Sequence, residues 1–330
     1  MSIKFDERQI YNLQLKRLSD LNKRLAGLFT DSRDKALAEL LKYRASVTRG
    51  GVLKVNKEAR LVNLIKEINK EIGDLTGKSY KAIQGSFVKT YESTYYLQSY
   101  AFEKAVNTEL KLGASYSLNM PALQKEAIQA AFDQRIGGLL LRDRTNRVRT
   151  TLQYLVQEAV GQNIIEGQSV NQLNKNLKLI NESMNAGFKN TQRIARTELL
   201  KAYSLGQDES RVEAENSGVE FSYQWSAALD SKTRPDHARV DNQMGTINEE
   251  GNPVWLIVGV QMKGPRIPLI ETGSKAEAKQ VINCRCRRLN IPFDIKPTKR
   301  TAKTKEGKWV EVNGDLTAEE WIKKEYDVKI

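Results

Sequence analysis

The apolar residues of this chain change their spacing near Gly218, and this change restricts the folds available to it. Before this glycine they recur every three or four residues, as at Leu18, Leu21 and Leu25, which is the period of an amphipathic helix. After it, the segment VEFSYQW has large apolar residues at alternate positions, as a half-buried strand does. The sequence therefore predicts an α+β protein, with a mainly helical N-terminal region followed by a small α+β C-terminal domain with a few short strands.

Two apolar stripes in the N-terminal region predict helices that cover each other. The first begins at Leu18, and the second, with lysine and glutamate between its members, consists of Leu61, Ile65, Ile68, Ile72 and Leu75. Stripes of this kind favour an antiparallel helical pair, and the alternative is a seam that is open to a partner. A helical stretch over residues 79–112 is also rich in tyrosine, which is common both in bundle linings and at interfaces.

The remainder of the chain divides by composition. Strands are predicted near residues 219–225, 254–260 and 282–289, and Ser274 with Glu277 predicts a capped helix before the last of them. Basic residues without an apolar pattern follow Pro292 and predict a flexible linker. A hairpin turning at Asn313-Gly314 and a helix capped by Thr317 are expected after it. The predicted domains are a helical region at 1–160, a second domain at 161–293, and the linker with a small element at 294–330.

Composition narrows the class of protein. The chain has 330 residues, enough for two domains, and no apolar run approaches the roughly 20 residues that span a bilayer. The N-terminus lacks an apolar signal core, so we expect a protein that is made and kept in a cytoplasm and has no membrane partner. The 53 basic and 40 acidic residues give a net charge of +13, which favours contact with a polyanion such as nucleic acid.

Three rare residues occur close together in the C-terminal part. His237 is the only histidine, and Cys284 and Cys286 are the only cysteines. On a strand the two sulfurs would lie on one face, where thiolates and an imidazole are suitable zinc ligands, with Asp236, Asp241, a water or nothing in fourth place. We nevertheless expect that no cofactor is bound, that the thiols fill a core, and that the histidine makes a hydrogen bond, with a structural zinc as the alternative.

The sequence gives little sign of catalysis. His237 beside Glu198 or Asp241 is the one candidate for a general base, but there is no paired-carboxylate metal motif, P-loop, nucleophile elbow or Rossmann glycine pattern. We therefore predict a protein that is not an enzyme. Arg196 and Glu198 lie on different faces of one helix, and Glu198 is expected to bind Arg285 or Arg287 and so hold that helix against the last strand.

The segments IARTE, QWSAALDSKTRPDHARVDNQ and INCRCRR resemble the head-morphogenesis domain of the Mu F-like minor head proteins of tailed phages. The resemblance covers about residues 160–293. It gives structural roles to Arg196, Glu198, Trp225, Arg234 and Asp241, which lie in these motifs. Where the family commonly has Asp-Gly-Gln after the histidine, this chain has Asp241-Asn242-Gln243.

The resemblance implies a low-copy component of the phage head that is in the host cytoplasm during assembly. It would associate with the portal protein, with the scaffold and major capsid proteins as further candidates, and would aid head morphogenesis and genome packaging or delivery. Two alternatives stay open: a Mu F-type effector or nuclease-like toxin acting on nucleic acid, and a non-viral nucleic-acid-binding adaptor.

Packaged double-stranded DNA is the expected polyanion in a phage head. Basic residues that neutralise phosphates bind DNA without sequence preference and with a steep dependence on salt. The predicted DNA-binding residues are Arg285, Arg287, Arg288, Lys296, Lys299 and Arg300.

Overall fold

A computed structural model describes residues 7–48, 57–109, 117–118, 120–165, 170–292, 296 and 298–328. Four long helices and one short one come first: α1 (Glu7–Thr48), α2 (Lys57–Glu109), α3 (Lys125–Asp133), α4 (Leu141–Ile165) and α5 (Val170–Asn216). The strands follow, which confirms the predicted α+β class. None of the helices in these ranges combines the length and apolar character that crossing a membrane requires.

The chain divides into two compact units, each built from separated stretches. The helical unit comprises residues 18–86 and 139–196, and the mixed unit comprises residues 1–17, 87–138 and 197–330. Helices α1, α2 and α5 each contribute residues to both units. The three domains predicted from composition follow one another along the chain, whereas these units do not. The predicted domains stay a prediction.

The core of the helical unit is formed by four helices rather than by a pair. Leu64, Ile68, Ile72 and Leu75 of α2 are buried, while Ile65 is half-buried and the side chain of Leu61 lies outside the described residues. They pack in one cluster with residues of α1, α4 and α5, including Phe29, Leu40, Val148, Leu152, Ile180 and Met184. The predicted apolar stripe of α2 is thus the buried face, and it has three neighbouring helices.

Short strands and helices make up the rest of the mixed unit. They are β1 (Phe221–Ser226), α6 (Pro235–Arg239), β2 (Thr246–Ile247), β3 (Pro253–Ile257), β4 (Val260–Gly264), β5 (Ile267–Pro268), α7 (Lys275–Val281), β6 (Arg287–Pro292), β7 (Lys299–Lys303), β8 (Trp309–Asn313) and α8 (Ala318–Tyr326). Three antiparallel sheets result: β1 with β6, the meander β2-β3-β4-β5, and the hairpin β7-β8. Trp225 of β1 lies opposite Arg288 of β6.

The helical parts of the mixed unit cover this β region. The ring of Phe102 on α2 lies 4.6 Å from that of Phe221 on β1. The hydroxyl of Tyr11 on α1 donates to the carbonyl of Arg285, 3.2 Å away. Residues 7–17 and 87–109 therefore belong to the same unit as residues 197–292 of the predicted head-morphogenesis segment.

Part of the predicted flexible linker after Pro292 is a strand instead, while residues 293–295 and 297 lie outside the described residues. Residues 299–303 form β7, in which Arg300 and Ala302 point inward while Lys299 is exposed. The hairpin turns at residues 304–308, where Gly307 has a φ of +84°, and not at Asn313-Gly314. The predicted cap of α8 is present: Thr317 and Glu320 form a reciprocal capping box.

Candidate functional site

His237 is positioned by the short helix α6. Pro235 begins the helix, where its missing N–H has no hydrogen bond to lose, and the amides of His237 and Ala238 both donate to the carbonyl of Arg234. The imidazole is buried and stands edge-on to the indole of Trp225, with ring centroids 5.6 Å apart. The Arg234 guanidinium donates to the carbonyls of Gln280 and Ile282, which ties α6 to the end of α7.

The two cysteines lie in the extended segment between α7 and β6. Asn283 precedes them with a φ of +57°, and its amide donates to Thr197 Oγ1 at 2.9 Å. Regular pairing with β1 begins only at Arg287, so the strand predicted over residues 282–289 begins later than expected. Both thiols are buried and face the same side of the chain, as the alternation of an extended segment requires.

The three rare residues meet in one buried cluster. His237 Nδ1 lies 3.3 Å from Cys286 Sγ and 3.5 Å from Cys284 Sγ. One ligand atom from each residue lies within 4.8 Å of the others. On the far side of the ring, His237 Nε2 is 2.8 Å from Gln280 Oε1. We call this group the His–Cys cluster.

Arg266 holds the main chain of the His–Cys cluster, and no sequence pattern predicts this role. Its buried guanidinium donates to the carbonyls of Cys284 (3.1 Å) and Cys286 (2.7 Å), and to Leu200 O and Ser204 Oγ on α5. Arginine is normally a surface residue, and nothing in the pattern KGPRIP marks this one as internal. Its positive φ of 72° is likewise invisible in the sequence.

The surroundings of the cluster shift the pKa values of the two thiols in opposite directions. Burial raises the pKa of both. For Cys284, the hydrogen-bond contacts with Cys286 and His237 and the charge of Arg266 outweigh burial, so that its pKa lies well below the ordinary value. For Cys286, the neighbouring Cys284 adds to the effect of burial, and the pKa lies well above the ordinary value.

A second buried group lies beside the cluster and is centred on Asp241. Its carboxylate accepts the amides of Ala227 and Ala318, both at 2.6 Å, and pairs with Arg300 at 2.8 Å. Arg300 also donates to the carbonyls of Ala227 and Leu316. Together these contacts join the end of β1 to β7 and to the start of α8.

The carboxylates suggested as fourth ligands are engaged elsewhere. Asp241 belongs to the group just described, and Asp236 lies 3.6 Å from Lys279 and 3.9 Å from Arg239. Within the described part of the chain, the histidine and the two cysteines are the group that a metal ion could use.

Asn242 adopts a positive φ, a backbone conformation for which glycine is well suited. Its φ is +62°, a conformation that glycine adopts freely and asparagine more readily than most residues. Its side-chain amide donates to the carbonyl of Asp315 at 3.0 Å, and its backbone N–H donates to the carbonyl of Trp225 at 2.8 Å. The turn therefore forms with asparagine in place of glycine.

The two residues of the ARTE segment have different surroundings. Arg196 is half-buried, and Glu198 is fully buried, 3.7 Å from Lys201 Nζ. The expected bridge from Glu198 to Arg285 or Arg287 stays a prediction. Arg285 binds Asp230 through both terminal nitrogens, and the guanidinium of Arg287 lies over the ring of Tyr11.

The predicted DNA-binding residues differ in accessibility. Arg288 and Arg300 are buried, and Arg288 binds Asp208, Asn290 and the carbonyl of Lys263. This burial corrects the prediction for these two, because phosphates cannot reach them in the folded protein. Lys296 and Lys299 are exposed, although Lys299 pairs with Glu311 at 2.5 Å.

Comparison with known proteins agrees with the resemblance. Residues 155–289 match the model of the family described as Phage Mu protein F like protein, which confirms the expected resemblance over that segment. This segment is therefore similar to Phage Mu protein F like proteins.

Two curated relatives extend the similarity beyond this segment. The minor head protein GP7 of Bacillus phage SPP1 is 22% identical over 91% of this chain and 85% of its own length. A protein of Enterococcus faecalis named NAD(+)--arginine ADP-ribosyltransferase EFV is 27% identical over 96% of this chain, which spans 56% of that relative's length. No solved structure matches the chain significantly.

Proposed function

We propose that this protein is a minor head component of a tailed bacteriophage, present in the virion head in low copy. The observation that carries the proposal is that the similarity to a phage minor head protein covers most of both chains, 91% of this one and 85% of the relative. A shared domain alone would leave large unmatched parts on one side. The match to the Mu F-like family over residues 155–289 supports the same assignment.

We further propose the portal protein as its main partner in the head. Helix α2 supports this because two tyrosines one turn apart, Tyr96 and Tyr100, are 47% and 65% exposed and lie beside the exposed Leu97. Tyrosine is enriched at interfaces because its ring buries a large area while its hydroxyl stays hydrogen-bonded. The surface is formed within the mixed unit.

Co-purification with portal subunits from the same genome tests this partner. We expect the wild-type chain to be retained and the double variant Tyr96→Ala/Tyr100→Ala to be lost. The control is Tyr154→Ala, which removes a tyrosine that is 63% exposed on α4 in the helical unit. Equal retention of all three proteins, or retention of none, would contradict the proposed surface.

We propose that the exposed basic residues contact the packaged DNA. The net charge of +13 and the accessible Lys296 and Lys299 support this. Duplex affinity measured across a salt series is expected to fall steeply, because each neutralised phosphate releases counterions. A flat salt response, or no binding at low salt, would contradict DNA contact. Lys296→Gln/Lys299→Gln is expected to reduce the slope of log affinity against log salt by about 2.

An enzymatic function is the second candidate, because the chain aligns with about half of a protein named as an arginine ADP-ribosyltransferase. We propose that this chain is not an enzyme and that the activity named for the relative belongs to the part of it that this chain does not match. Incubation of the chain with labelled NAD and an arginine-containing acceptor tests this. We expect no transfer of label, and transfer that is lost on heat denaturation would overturn the proposal.

A further inference from the structure

Two sulfur atoms in the His–Cys cluster face one nitrogen atom. Cys284 Sγ and Cys286 Sγ lie 3.5 Å and 3.3 Å from His237 Nδ1. A ring nitrogen carries either one hydrogen or one lone pair, so it makes a full hydrogen bond with one of the two sulfurs, while the thiols also contact each other. An ion at the centre of the three atoms satisfies all of them at once.

The opposite side of the imidazole fixes which nitrogen is free to bind. Nε2 faces the side-chain oxygen of Gln280 at 2.8 Å, and an oxygen acceptor there requires the hydrogen to be on Nε2. Nδ1 then presents its lone pair to the sulfurs. Metal-binding histidines characteristically donate their other ring N–H to an oxygen acceptor in this way.

The separations are those that a zinc ion sets. Zinc binds thiolate at about 2.3 Å and imidazole at about 2.0 Å, and a tetrahedral angle between such bonds puts the nitrogen about 3.5 Å from each sulfur. The observed separations are 3.3 and 3.5 Å, and all three ligand atoms lie within 4.8 Å of one another. Two thiolates and a neutral imidazole also balance the charge of a divalent ion.

We propose that His237, Cys284 and Cys286 bind one zinc ion, with the fourth position left to a water molecule. The ion joins α6 to the segment that leads into β6, in a region otherwise connected by loops. Gln280 orients the histidine, and Arg266 fixes the main chain of both cysteines through their carbonyls. The proposal is independent of the assignment to a phage head.

Elemental analysis of the full chain, purified from zinc-supplemented medium without chelator, tests the site. We expect about one zinc per chain, and less than a tenth of that in Cys284→Ser, Cys286→Ser and His237→Gln. Gln280→Ala is expected to keep the ligands but to weaken zinc affinity by about 10- to 100-fold. The control is Met262→Leu, a conservative change in the same buried core, which is expected to retain the full content.

Cobalt replacement provides a readout that does not depend on how well the variants fold. After zinc is removed from the wild-type chain, cobalt is expected to produce a sulfur-to-metal charge-transfer band in the near ultraviolet and intense visible bands of tetrahedral geometry. Wild-type protein without zinc and without these bands would overturn the proposal. Zinc retained in all three ligand variants would overturn it as well, because the ion would then lie elsewhere.

Discussion

The helical unit and the mixed unit bury their interiors in different ways. The helical unit packs apolar side chains from four helices, among which Ile68 and Ile72 are almost completely enclosed. The mixed unit encloses more charged side chains, including Asp241, Arg266 and Arg300, whereas Arg144 is the buried charged residue described in the helical unit. Apolar packing is tolerant because no single contact dominates, whereas a buried charge depends on each of its partners. We therefore expect substitutions in the mixed unit to have the larger effects.

The largest expected effect follows from breaking the buried ion pair. Asp241→Ala leaves the Arg300 guanidinium without its carboxylate and removes the acceptor of two main-chain amides. We expect a loss of about 3–5 kcal/mol in the free energy of unfolding of the mixed unit. Hydrogen exchange of the β1 and β6 amides measures it. The matched change in the helical unit, Ile72→Val, should cost about 0.5–1.5 kcal/mol, and equal losses would remove the contrast between the units.

A single type of substitution at two helical glycines gives effects of opposite sign. A Cβ at Gly206 on α5 would lie 2.7 Å from the carbonyl oxygen of Tyr91 on α2, both in the mixed unit. Gly206→Ala is therefore expected to cost about 1–3 kcal/mol, because two main chains must separate. At Gly73, in the helical unit, a Cβ meets nothing within 4 Å. Gly73→Ala should stabilise by about 0.5–1 kcal/mol, and thermal denaturation of both variants decides the comparison.

The mixed unit is also expected to be sensitive to acid. Burial alone would raise the pKa of Asp208, but Arg288 and Arg211 hold that pKa below its ordinary value of 3.8. A group whose pKa is lowered in the folded state stabilises the protein above its unfolded pKa, and this contribution is lost as the pH falls through the folded pKa. Stability should therefore decline from about pH 4 downward.

The variant Asp208→Asn tests the source of this acid sensitivity. It should be less stable than wild type at neutral pH, because Arg288 and Arg211 lose a charged partner. It should also show a shallower decline below pH 4 in denaturation measured across a pH series. A decline as steep as that of wild type would assign the acid sensitivity to other carboxylates.

The smallest expected effect is at the turn after α6. Asn242→Gly removes the cost of a positive φ, but it also loses the side-chain bonds to the carbonyl of Asp315 and from the Arg300 guanidinium. These effects oppose each other, so we expect a change within about 1 kcal/mol. Asn242→Ala loses the same bonds and keeps the unfavourable φ, and should cost about 1–2 kcal/mol. Equal melting temperatures for the two variants would show that the φ is not what constrains this position.

The two units also differ in how much of them the sequence predicts. The apolar stripe from Leu64 to Leu75 can be predicted because buried residues on a helix recur every three or four positions. The meeting of His237 with the two cysteines is predictable because these residues are rare and have a shared chemistry. The internal arginines are not predictable, because a buried arginine and a surface arginine have the same local pattern.

Arg300 is the clearest example of that limit. Among neighbouring lysines it suggests a solvated linker, and only the pairing of β7 with β8 reveals that it alternates inward with Ala302. Its partner Asp241 is 59 residues away in the sequence. Local sequence patterns do not contain a contact of that separation.

The central claim, a place in the phage head, is tested most directly by the protein content of assembled heads. Heads purified from a phage that encodes this chain would be analysed by quantitative mass spectrometry against the major capsid protein. We expect the chain to be present in a small, reproducible number of copies per head and to stay with the particles through density-gradient purification. Its absence from purified heads and procapsids, with the chain present in the surrounding lysate, would contradict the account.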